Sequence, residues 1–88
     1  MESTSKPVRL SRHACEQLVF RGTTEEEVVE AIRKGAWELA EKGRRECRVN
    51  YSFDDEWNGV FYKTKQVRPI FVEEEMEIVV ITVYVYFF

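Results

Sequence analysis

The strongest constraint on the fold is an apolar run at the C-terminal end of the sequence. Residues 78–88 read IVVITVYVYFF, in which Thr82 is the sole polar interruption. β-branched and aromatic residues favour a strand, and alternation gives this strand apolar side chains on both faces. The run of 11 residues is well short of the about 20 that a membrane-spanning helix needs. We therefore predict a strand over residues 77–87 that lies in the centre of a sheet or against a second subunit.

Two helices are predicted in the N-terminal half. Residues 11–22, SRHACEQLVFRG, begin with a serine, a preferred N-cap, and end at a glycine, which suits the position after a helix. Residues 23–35, TTEEEVVEAIRKG, contain a threonine–glutamate capping box and also end at a glycine. Because the connection between them is so short, the two helices are expected to form a hairpin.

The faces of the helices follow from their apolar spacing. At 100° per residue, the buried face predicted for the first helix consists of Cys15, Leu18 and Val19, with Ala14 at its edge. The corresponding face of the second helix consists of Val28, Ala31 and Ile32, with Val29 at its edge. A separate polar stripe on the first helix is formed by His13, Gln17 and Arg21, which recur every four residues.

After the second helix the period of the apolar residues changes from 3.6 to 2, which indicates strands. Extended segments are predicted at residues 37–42, 46–53, 60–63 and 65–74, with a short extended lead at 7–10. Turns are predicted at DDEWNG (54–59) and EEEM (73–76), and Pro69 indicates an edge or a bulge. The predicted fold class is α+β, with an N-terminal helical hairpin packed on an antiparallel sheet of about four strands, in a single domain over residues 1–88.

Composition limits the class of protein. The chain is 44% hydrophobic and 33% charged, which is typical of an ordered globular domain. Its net charge of −3 counts against nucleic-acid binding, so such binding would require a local basic patch. One histidine and two distant cysteines predict no metal site and no cofactor. With no signal-peptide-like N-terminus and no membrane span, we expect a cytoplasmic protein in which Cys15 is a core residue and Cys47 a strand residue.

Several short motifs follow one another along the chain. They are a His-Ala pair that opens a helix, an Arg-Gly pair that ends it, a Glu-rich second helix, and a lysine-led hairpin that ends in Ile-Thr-Val-Tyr; in this sequence they are His13-Ala14, Arg21-Gly22, Glu25 to Glu27, Lys65 and residues 81–84. Their order and spacing resemble a bacterial and archaeal family, domain of unknown function 4258. The general arrangement is similar to the RelE/ParE toxins, of which RelE-like members cut RNA and ParE-like members act on DNA gyrase. The resemblance implies a toxin-like fold and an antitoxin as partner.

Three residues are candidates for metal-independent RNA cleavage. This chemistry needs a base for the 2′-hydroxyl, an acid for the leaving oxygen and a cation for the phosphorane. His13, Tyr84 and Arg21 supply these groups if the helical stripe faces the last strand. Each residue also has a structural alternative. His13 could be a first-turn polar residue that is hydrogen-bonded to a strand, and Tyr84 could be a core or interface residue. Arg21 could complement the helix dipole and pair with a glutamate of the second helix.

A second set of residues is predicted to contact a phosphate-bearing ligand. It consists of Gln17 on the stripe and the basic residues Lys63, Lys65 and Arg68. A second basic cluster is Arg44, Arg45 and Arg48, interrupted by Glu46. The alternative for both clusters is a solvated strand edge. The competing function is a non-catalytic interaction module that forms a homodimer through the C-terminal strand.

Overall fold

The computed structural model describes residues 6–88, which form two helices and six strands. Residues 1–5 lie outside the described residues. They belong to the predicted domain and to the N-terminus for which no signal peptide is expected. In chain order the elements are β1 (Val8–Leu10), α1 (Arg12–Arg21), α2 (Glu25–Lys34), β2 (Glu38–Leu39), a 3-10 turn (Glu41–Gly43), β3 (Arg45–Glu46), β4 (Val49–Trp57), β5 (Val60–Glu73) and β6 (Ile78–Phe87). The α+β class is confirmed. Within residues 6–88, neither helix is long and apolar enough to cross a membrane.

Both helices begin and end where their capping residues predict. The Ser11 hydroxyl accepts from the backbone N–H of Ala14, and the Thr24 hydroxyl accepts from that of Glu27. Gly22 ends α1 with φ +77°, a left-handed conformation that glycine adopts without steric cost. A Cβ at Gly22 would also lie 2.9 Å from the ring of Trp57, so the close approach requires glycine as well.

The sheet is larger than expected and is not purely antiparallel. Its strand order is β1-β6-β5-β3-β2, and β4 pairs with β5 beside β3. The prediction of about four strands was wrong because the short lead forms β1, which pairs in parallel with Ile78–Val80, and because β2 and β3 are strands of only two residues each. Segments this short carry too few residues for an alternating pattern to identify them.

The long hairpin β4–β5 also differs from expectation. Residues 54–57, predicted as part of a turn, continue β4 beyond a bulge between Ser52 and Asp55, and the turn itself is only Asn58-Gly59. Both turn residues have positive φ, as a two-residue hairpin requires. The expected strands 60–63 and 65–74 are one strand, β5. The turn near 73–76 is confirmed as the connection 74–77, with the Glu74 N–H donating to the Glu77 carbonyl.

Pro69 lies inside the sheet and not at its edge. On one side Pro69 is opposite Val83 of β6. On the other side of β5 the pairing partner changes near Pro69: Val67 pairs with β4, and Ile70 pairs with β3. Residues 47 and 48 form the break between those two strands, so Cys47 is a buried loop residue and not the expected strand residue. The missing proline N–H therefore falls where the ladder is interrupted.

The helices pack on one face of the sheet, α1 mainly on β6 and α2 on β5. As predicted, α2 buries Val28, Ala31 and Ile32. For α1 the prediction is right for Leu18, which packs against the core, and wrong for Cys15 and Val19, which are exposed. Ala14, predicted at the edge of this face, is the fully buried residue. The helix is rotated so that Gln17 and Arg21 turn toward β6. The small side chain of Ala14 permits this close approach, and the exposed Cys15 is not the expected core residue.

Candidate functional site

Gln17 joins α1 to the open edge of the sheet. Its carboxamide oxygen accepts from the backbone N–H of Val83 (2.9 Å) and from the Thr82 hydroxyl (2.7 Å). Because β1 covers β6 only as far as Val80, Gln17 supplies the acceptor that a neighbouring strand would otherwise give to Val83. The Gln17 part of the polar stripe therefore faces the last strand, whereas the catalytic hypothesis required this of the whole stripe.

Arg21 and Arg68 each lie close to the ring of Tyr84. The Arg21 Cζ lies 5.6 Å from the ring centroid and the Arg68 Cζ lies 5.3 Å from it, both within the range of cation–π interactions. Arg68 is opposite Tyr84 in the β5–β6 register. Since Val67 and Val83 point into the core, alternation places Arg68 and Tyr84 on the sheet face away from the helices, here called the outer face.

Arg68 is fixed on the outer face by two partners. Its Nη2 donates to Glu46 Oε1 (2.8 Å) and its Nη1 donates to the Tyr86 hydroxyl (3.1 Å). The hydrogen bond from Arg68 lowers the pKa of the Glu46 carboxyl, although burial opposes its ionisation. Within residues 6–88, Arg68 Nε is buried without a hydrogen-bond partner. The arginine is thus held in place, and its Nε–H is buried and unpaired within this part of the chain.

A cavity of about 330 Å³ lies between the outer face and the segment 40–44. From the sheet it is lined by Glu46, Arg68, Ile70, Thr82 and Tyr84, and from the segment by Ala40, Glu41, Lys42 and Arg44. Lys42 has φ +61°, a left-handed conformation that is uncommon and costly for a residue with a side chain. Taken together, the lining residues place the basic groups Lys42, Arg44 and Arg68 around one buried carboxylate, that of Glu46.

His13 lies beside this site and not within it. It is exposed on α1, one turn before Gln17, and lines a shallow hollow with Gln17, Phe20 and Arg21. His13 and Arg21 are separated by roughly 12 Å along the helix axis. Of the predicted site residues, Gln17, Arg21, Arg68 and Tyr84 therefore lie near one another at β6, with His13 at the margin.

The two predicted binding lysines are not part of this site. Lys65 lies on the core face with its side chain 9% exposed, and its Nζ donates to Glu27 Oε1 (2.7 Å) and to the Gly22 carbonyl (3.0 Å). Lys63 is exposed and lines a separate hollow near Asn50 and Phe88. The prediction for Lys65 was wrong because alternation along β5 places residues 65 and 68 on opposite faces.

Sequence reasoning did not include Glu46, Arg44, Lys42 or Tyr86 in the site. The basic cluster around Glu46 was recognisable, but its segment contains only a two-residue strand, so nothing indicated that it lies against β5. Among the described residues, no group of three His, Cys, Asp or Glu side chains is placed to hold a metal ion.

Comparison with protein-family models, with curated proteins and with solved structures finds no significant match. The resemblance to domain of unknown function 4258 therefore stays a prediction. The function of the chain is inferred below from the residues of the outer face.

Proposed function

We propose that this chain is a RelE-like, RNA-directed domain that binds a phosphodiester on its outer face at Arg21 and Tyr84, beside Arg68. The observation that carries the proposal is that two guanidinium groups lie close to the Tyr84 ring, 5.6 and 5.3 Å from its centroid. Guanidinium groups bind phosphate with paired hydrogen bonds. The adjoining cavity is lined by Lys42, Arg44 and Arg68 and by the carboxylates Glu41 and Glu46, so it has a small excess of positive charge in a chain of net charge −3.

The proposal includes a route to RNA cleavage without a metal, in which His13 acts from the margin of the site. The base, assigned to His13, takes the proton of the 2′-hydroxyl, and the 2′-oxygen forms a new bond to phosphorus. The bond from phosphorus to the 5′-oxygen breaks, and Tyr84 donates its phenol proton to that leaving oxygen. Arg21 stabilises the charge of the phosphorane. The products are a 2′,3′-cyclic phosphate and a 5′-hydroxyl.

The cellular setting follows from the same proposal. RNA cleavage would act in the cytoplasm, and an antitoxin, which the resemblance implies, would silence it.

Expression of wild type and His13→Ala in a heterologous host tests the activity through growth and RNA integrity. We expect toxicity and RNA fragments with a cyclic phosphate only in wild type, with both proteins soluble and folded. A wild type that leaves growth and RNA unchanged contradicts the cleavage proposal.

A second candidate function is homodimerisation through the open edge of β6. Thr64 and Phe88 exchange both backbone hydrogen bonds, so alternation directs the N–H groups of Val85 and Phe87 away from β5. Tyr84 and Tyr86 beside this edge are 37% and 43% exposed. An uncharged edge of this kind is a template for pairing with a second copy.

Sizing of purified protein tests this second candidate. A two-fold antiparallel pairing in which Val85 faces Phe87 of the other copy places the two Tyr86 residues opposite each other. Tyr86→Lys would then set like charges across the interface and give a monomer. The control is Phe61→Lys on the β4–β5 hairpin, where the phenylalanine is 58% exposed and away from the edge. A monomeric wild type contradicts the dimer.

A further inference from the structure

We propose that the cavity between the outer face and the segment 40–44 holds a guanine base of the RNA, with Glu46 as the group that recognises it. This inference rests on the proposed function, because it assigns the base next to a phosphate bound at Arg21 and Tyr84. The cavity adjoins that phosphate position, since Tyr84 and Arg68 belong to both. Its volume of about 330 Å³ is within the range of small-ligand sites.

Glu46 decides which chemical group can enter. Its side chain is only 10% exposed and is paired with Arg68 at 2.8 Å, an arrangement that favours the ionised form. A carboxylate accepts hydrogen bonds and donates none, and its two oxygens together offer about four acceptor positions. Arg68 occupies one of these, and Arg48 lies at 3.6 Å from the second oxygen. A phosphate at this position would be repelled, so the cavity suits a neutral group that carries donors.

Among the RNA bases, guanine matches this requirement. Its Watson–Crick edge carries two adjacent donors, N1–H and the N2 amino group, which can bind one carboxylate together. Adenine and cytosine each set a single amino donor beside an acceptor, and uracil has one N–H between two carbonyls. Recognition of splayed-out bases along this edge is the usual way in which single-stranded RNA is read.

The other lining residues are consistent with a flat base that has acceptors on its far edge. Ile70 and Tyr84 give apolar surface for the ring. Arg44 and Lys42 line the cavity from the segment 40–44, and guanine presents its O6 and N7 acceptors to such cations. The lining thus holds a carboxylate for the donors of the base and cations for its acceptors.

Binding of three oligonucleotides tests the inference without altering the protein. Each is a fluorescently labelled heptamer of uridine with one central guanosine, inosine or adenosine, and the affinity is measured by anisotropy. Inosine lacks only the N2 amino group of guanosine. We expect the guanosine oligonucleotide to bind about tenfold more tightly than the inosine one, with adenosine weaker still. Equal affinity for all three overturns the base site and leaves phosphate binding intact.

A protein variant and a mononucleotide complete the test. Glu46→Gln, checked for folding by its thermal transition, should remove the preference for guanosine over inosine; a preserved tenfold preference overturns the role of Glu46. If no oligonucleotide binds, the proposed function fails, and nucleoside 5′-monophosphates decide the cavity. Changes in the NMR chemical shifts of Arg44 and Glu46 with guanosine 5′-monophosphate, and not with adenosine 5′-monophosphate, support the base site. Equal changes with both nucleotides, or none with either, overturn it.

Discussion

The carboxamide oxygen of Gln17 accepts the backbone N–H of Val83 at 2.9 Å, so a helix side chain takes the place of a missing strand. One turn later on the same helix, Arg21 reaches Tyr84. The hydrogen bond between Gln17 and Val83 fixes the rotation of α1 about its axis. The same rotation therefore brings Arg21, the predicted cation, to Tyr84 on the outer face.

Replacing Gln17 should destabilise the fold. Gln17→Leu leaves the Val83 N–H and the Thr82 hydroxyl without their acceptor, and the cost of an unmade hydrogen bond predicts a loss of about 2 kcal/mol in the free energy of unfolding. Urea denaturation measures it. The control is Glu16→Leu, an exposed position on α1 whose ion pair with Arg12 is solvated. Equal stability of the Gln17 variant and wild type contradicts the edge-capping role.

The buried Lys65–Glu27 pair is expected to be the most important ion pair for stability. Lys65→Met leaves Glu27 partly buried without its cation, and we expect a loss of about 3 kcal/mol. Lys34→Met is the matched control, because Lys34 pairs with Glu30 on the exposed surface of α2 and its removal should cost less than about 0.5 kcal/mol. Chemical denaturation distinguishes the two, and similar small losses would show that the buried pair adds nothing.

Acid should weaken the fold through Glu27. Burial raises the pKa of this carboxyl, but hydrogen bonds from Lys65 and Thr23 outweigh it, so the pKa in the folded state is below the ordinary value of 4.5. The stabilisation is present above the unfolded-state pKa and is lost as the pH falls through the folded-state pKa. The free energy of unfolding, measured from pH 7 to pH 3, should therefore decline more steeply below about pH 4.5 in wild type than in Glu27→Gln. Parallel curves would contradict this role.

The two cysteines should react at very different rates. Burial, with a contribution from the charge of Glu46, raises the pKa of the Cys47 thiol to about 12, and its Sγ lies 3.2 Å from the Ala31 carbonyl. Cys15 is exposed on α1. Iodoacetamide at pH 8 should label Cys15 in the folded protein and Cys47 only after denaturation, since the thiolate is the reactive form. Mass spectrometry of digested protein reads out both sites, and comparable labelling of Cys47 in the folded state would contradict its burial.

The sequence predicted those elements whose signals are local. Both helices have a capping residue at one end and a glycine at the other, so their bounds were readable. Apolar spacing identified the buried face of α2 because Val28, Ala31 and Ile32 share one side of the helix and all three are buried in the core. The final strand, with nine apolar or aromatic residues in ten, was equally clear.

The remaining features depend on contacts between distant segments. The parallel pairing of Val8 with Ile78 brings together residues from opposite ends of the chain, and three residues of β1 carry no periodicity. The rotation of α1 follows from the need of Val83 for an acceptor, which outweighs the burial of Val19. Likewise, Glu46 joins the site only because Arg68 on β5 reaches it across the sheet.

The central claim is that the outer face binds the RNA backbone through Arg21. The most direct measurement is the affinity for a labelled single-stranded RNA as a function of salt, in wild type, Arg21→Gln and Arg12→Gln. Arg12 is on the opposite side of the same helix, with its side chain 92% exposed, so the two variants change charge equally. We predict that only Arg21→Gln weakens binding and reduces the slope of log affinity against log salt by about 0.7, one phosphate contact. An unchanged slope in Arg21→Gln, or an equal change in Arg12→Gln, would contradict the account.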